Sequence, residues 1–174
     1  MGLRNNGLYH FRPRTGFCAR TCCRKPERIH VSNRFIAMPL WRTRSVGLQF
    51  YKFNIVGFLH WGYNFYNASL SKGTINPYLD TCAGFMFPAG DAFSVYPAQN
   101  GEALESIRIL SFYEALQDAR ALKLAEDLVG RDRVIEEIET LFGEEIRFDK
   151  CAQSAEILLA IREKINEMIA SAMK

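Results

Sequence analysis

The sequence contains no uninterrupted apolar run approaching the roughly 20 residues that span a bilayer, which excludes a transmembrane helix. No apolar stretch follows the basic residues of the N-terminus, so a secretory signal is not expected and a cytoplasmic location is. No regular repeat or low-complexity tract stands out. Acidic residues are scarce in the first hundred positions, where only Glu27, Asp80 and Asp91 face 12 Lys/Arg, a net of +9. Residues 101–174 reverse this, with 10 Lys/Arg against 16 acids, a net of −6. The five cysteines (Cys18, Cys22, Cys23, Cys82 and Cys151) are odd in number, which points to free thiols rather than a disulfide framework.

What is present suffices for a core. Of 174 residues, 48% are hydrophobic and 13% aromatic, the balance of a globular chain of roughly one domain. Three zones divide it. Residues 1–31 are basic, Cys-rich and without periodicity, and read as an irregular arm. Nucleic-acid binding would require a folded basic face, and the solvated or partner-covered reading is preferred. Zinc on Cys18, Cys22 and Cys23 with His10 and His30 is weighed and set aside. The spacing lacks a second paired knuckle, and adjacent cysteines ligate one ion poorly. No metal and no cofactor is expected.

Residues 32–130 begin with aromatic, Gly/Asn/Pro-punctuated sequence. The spacing of Val46, Phe50 and Phe53 predicts a helix over 42–53. The run 55–61 (IVGFLHW) is apolar without alternation, as in a strand buried on both faces of a parallel sheet. A long polar loop follows, and 93–96 (FSVY) reads as a second strand stopped by Pro97. Helices are then predicted from Ser106 to Leu128, stopped by Gly130, from Asp132 to Phe142, stopped by Gly143, and from Cys151 to Met173. Ser154 or Asp149 is the expected cap of the last. Residues 131–174 form a zone of amphipathic helices. The fold class is α/β. Two strands cannot make a self-sufficient parallel sheet, so the chain reads as the end of something larger. Apolar residues such as Ile55, Phe58 and Leu59 would then be exposed unless a partner chain covers them.

Several motifs occur in order: Ser32-Asn33-Arg34-Phe35-Ile36-Ala37-Met38-Pro39, Arg42-Thr43-Arg44, Gly57-Phe58-Leu59-His60-Trp61-Gly62-Tyr63-Asn64, Ile75-Asn76-Pro77-Tyr78, Pro88-Ala89-Gly90-Asp91 and Glu114-Ala115-Leu116-Gln117-Asp118. Over about residues 22 to 140 the chain resembles the C-terminal part of the glycoside hydrolase family 123-like catalytic domain. The resemblance implies the last two strands and helices of a (β/α)8 barrel, whose active site lies at the C-terminal strand ends. It implies a carbohydrate partner, an N-acetylhexosamine-containing glycan, and substrate-assisted hydrolysis of a terminal β-linked sugar. The expected sugar contacts are His60, Trp61, Tyr63, Asn64 and Asp91. Trp and Tyr faces would stack on the ring, while His, Asn and Asp would meet hydroxyls. The family's chemistry uses an adjacent Asp-Glu pair. No Asp here is followed by Glu, and Glu126-Asp127 is reversed and helical. The expectation is a sugar-binding rim that is inactive alone, with a non-catalytic glycan-binding module as the alternative.

Overall fold

Gly130 and Gly143 punctuate the C-terminal half as their backbone freedom dictates. Both adopt positive φ, 90° and 87° respectively, where any side chain is strained. Between and around them run the helices of a computed structural model, which describes residues 31–68 and 71–174. In chain order these are α1 (Leu40–Arg44), α2 (Val46–Lys52), β1 (Val95–Pro97), β2 (Ala103–Glu105), α3 (Ile107–Val129), α4 (Arg131–Phe142) and α5 (Ala155–Ala172). The fold is mixed helix and strand.

By their contacts the described residues separate into two units. The first comprises Phe35–Ala37 and Trp61–Leu104, and the second comprises 31–34, Met38–His60 and Glu105–Lys174.

In the second unit the helices share one core. Leu48 and Tyr51 of α2, Leu122 and Ala125 of α3, Val134 and Ile138 of α4, and Leu158, Ile161 and Ile165 of α5 are buried together. In α4 and α5 these are apolar positions that recur at three and four, whereas α3 leaves Ile107, Leu110, Tyr113 and Leu128 of its expected apolar set exposed and buries Ala115, Leu122 and Ala125. Gly47 lets α2 approach α3 closely: a Cβ there would lie 2.1 Å from the Ala115 carbonyl oxygen. Polar ties complete the arrangement. Asp118, buried on α3, accepts from Arg44 Nε at 2.6 Å and from Arg162 Nη1 at 3.0 Å. Gln49 Nε2 donates to the carbonyls of Arg147 (2.9 Å) and Lys150 (3.0 Å), which holds the α4–α5 connection.

The helix expected over 42–53 is two helices that meet at Ser45. Ser45 Oγ donates to the Trp41 carbonyl at 2.8 Å and accepts from the Ala152 N–H at 3.1 Å. A serine bonded back to the preceding turn bends a helix. The predicted strand at 55–61 is a second departure. This run has no regular structure, and Val56 and Leu59 are 104% and 86% exposed. An apolar run becomes a strand only against a partner strand, and none is present there among the described residues. Ile55 and Phe58 are half-buried, Phe58 against Phe50 and Phe112.

The first unit is small. Phe93, Ala92 and Ala83 are fully buried, with Phe65, Tyr66, Ile75, Phe87 and Tyr96 around them. Its strand pair, β1 and β2, is joined by residues 98–102, a connection short enough to require antiparallel pairing. The second predicted strand is thus present, as Val95–Pro97, but in a hairpin rather than a parallel sheet. The arm over 1–30, with Cys18, Cys22, Cys23, His10 and His30, lies outside the described residues.

Candidate functional site

Two segments of the first unit run side by side in opposite directions. Asn64 bridges Phe93 in the antiparallel sense. The Phe65 N–H donates to the Ala92 carbonyl at 3.0 Å, and the Ser94 N–H donates to the Tyr63 carbonyl at 2.7 Å. Gly62 makes this approach possible, because a Cβ there would stand 2.2 Å from the Asp91 carbonyl oxygen and 2.8 Å from Ala92. The consequence is that Trp61 and Asp91, thirty residues apart in sequence, meet.

The Trp61 indole N–H donates to Asp91 Oδ2 at 3.2 Å. The ring packs against Phe87, with centroids 4.5 Å apart, and edge-on against Phe65 at 5.6 Å. Asp91 itself is buried. Trp61 is therefore clamped by one hydrogen bond and two rings, yet 40% of it stays exposed. The result is a fixed, half-open aromatic face with a carboxylate at its edge.

Tyr63 and Asn64 are exposed beside this pair, positioned by the same backbone pairing. Four of the five expected contacts, Trp61, Tyr63, Asn64 and Asp91, thus fall in one unit. His60 falls in the other. There its Nδ1 lies 3.0 Å from Arg34 Nη2.

Phe65 and Phe87, which wall the indole, were not singled out in the sequence. They stand far apart in the sequence, and nothing in their spacing signals a shared neighbour. Phe85 was missed for the same reason; it is 72% exposed and holds a left-handed φ of 67°, a strained conformation for a bulky residue.

The acids of this unit are committed to local structure. Asp80 accepts from the N–H of Cys82 (2.9 Å) and of Gly84 (2.7 Å), closing a turn. Glu102 accepts from the Asn100 side chain at 2.9 Å. Asp91 holds Trp61. No group of three metal-ligating side chains occurs among the described residues. Cys82 and Cys151 are buried free thiols, and burial raises Cys151 above its ordinary value against the opposing effect of Arg42.

A sequence model described as "Glycoside hydrolase 123, catalytic domain" matches residues 17–125, more than half of the chain. The chain belongs to this family. The match runs from the N-terminal arm through most of α3 and includes every residue of the Trp61–Asp91 pairing. No curated protein matches the chain. Family membership makes a carbohydrate the natural class of substrate for the domain. No helix among the described residues is long and apolar enough to cross a membrane.

Proposed function

We propose that this chain supplies the sugar-contacting end of a glycoside hydrolase catalytic domain acting on terminal β-linked N-acetylhexosamine. The observation that carries the reading is the Trp61–Asp91 pair within the family-matched segment. The indole face takes the apolar side of the sugar ring, and Tyr63 and Asn64 add hydroxyl contacts at its edge. Asp91 fixes the indole from its buried position.

The chemistry itself needs more than this chain carries. In the substrate-assisted route that the family resemblance implies, the 2-acetamido oxygen attacks the anomeric carbon. One carboxylate steadies the acetamide nitrogen, and an adjacent glutamic acid protonates the departing oxygen. With no Asp-Glu step in the sequence, we assign that pair to strands of the barrel that this sequence does not include. In this reading the segment 55–61 takes a strand's place when those neighbours are present, which accounts for its exposed Val56 and Leu59. The chain alone binds sugar without cleaving it.

An aryl β-N-acetylgalactosaminide assay tests the inactivity directly. The expected result is no turnover above background. Robust hydrolysis by this chain, abolished in Asp91→Asn, overturns it. A standing glycan-binding role is the second reading, favoured by the open face of Trp61 and by the lack of an Asp-Glu step in the sequence. It predicts saturable binding whether or not the other strands are supplied.

A further inference from the structure

We propose that Arg34 locks His60 in its Nε2–H tautomer, so that His60 serves as a hydrogen-bond donor and not as a base. Arg34 Nη2 stands 3.0 Å from His60 Nδ1. A guanidinium carries donors only and keeps its charge at every accessible pH. The imidazole nitrogen facing it must therefore be the acceptor, with no proton. In a neutral ring the proton then sits on Nε2.

The lock is rigid because Arg34 is. Its residue is 5% exposed. Its guanidinium lies over the Phe58 ring at 4.8 Å and the Phe112 ring at 5.4 Å. Its own carbonyl accepts from Arg108 Nη1 at 3.0 Å, and its N–H donates to Asn33 Oδ1 at 2.8 Å. Asn33, Arg34, Phe58 and His60 thus work as a unit, which gives a physical reason for the Asn-Arg-Phe and Phe-Leu-His segments to occur together. Arg34 is a positioning residue in this scheme.

The test is a two-bond proton–nitrogen correlation spectrum of the full chain carrying nitrogen-15 histidine. It is recorded at about pH 8.5, well above the ordinary imidazole value near 6.5. His60→Gln assigns the signals among the three histidines. The expected pattern is a pyridine-type Nδ1 and a pyrrole-type Nε2 for His60. A protonated Nδ1, or the averaged shifts of a free imidazole, overturns the proposal. Arg34→Leu is expected to release His60 to that average, whereas Arg34→Lys, which keeps a charged donor, is expected to retain the lock. A folded Arg34→Leu chain with unchanged His60 shifts overturns the role of Arg34. Should that variant not fold, the parent spectrum decides by itself.

Discussion

Trp61 shows how one glycine can decide whether a side chain is a surface accident or a built platform. Its contact with Asp91 depends on Gly62, because the two segments approach more closely than any Cβ permits. Gly62→Ala is expected to force them apart, destabilising the first unit by about 1–3 kcal/mol and weakening the quenching of Trp61 by its neighbours. Chemical denaturation followed by fluorescence checks both. Trp61→Ala removes the face but not the backbone pairing. Sugar affinity should fall by about tenfold, as loss of one aromatic contact implies, with little change in melting temperature; calorimetric titration measures the first and a thermal melt the second. Asp118 is the counterpart in the helical unit. Its buried carboxylate is shared between Arg44 and Arg162. Asp118→Ala leaves two guanidinium groups facing each other and should cost about 3 kcal/mol, which a urea unfolding curve would detect.

At the level of elements, what could be read from the sequence was what is local. Helices α3, α4 and α5 announce themselves through apolar recurrence at three and four and through Gly130 and Gly143, and they lie within a few residues of their expected limits. The break between α1 and α2 was not readable, because Ser45 is engaged by Ala152, 107 positions away. Nor was the fate of 55–61, since an apolar run says that burial is favoured but not which partner supplies it. The Trp61–Asp91 contact lay between these cases. Both residues stood out as candidates, but their hydrogen bond depends on an antiparallel pairing that the sequence does not encode locally. The junction of α2, α3 and α4 makes a prediction about pH. Lys123, followed by Tyr51 and Arg131, holds the Glu126 carboxyl well below its ordinary 4.5, at about 2. A group whose value is lowered by folding stabilises the fold fully above its unfolded value. That contribution is lost as pH falls from about 4.5 toward 2. Glu126→Gln should therefore flatten the acid limb of a stability-against-pH curve, leaving the neutral region displaced downward by a constant amount.

For the molecule as a whole, the family match and the lack of an Asp-Glu step in the sequence are the two facts on which the proposed binding role rests. The matched segment carries aromatic surface, buried arginines and a helical scaffold, while the acids around Trp61 are spent on turns and on the indole itself. The helical unit has the polar ties and shared core of a stable structure, with Val56 and Leu59 of the run 55–61 left exposed. Saturable sugar binding at Trp61 without turnover is the central claim. The most direct test follows the Trp61 indole N–H resonance as N-acetylgalactosamine is titrated into the chain. The account predicts a saturable shift of that signal, absent in Trp61→Ala. An indole signal that stays still up to the highest sugar concentration would contradict it.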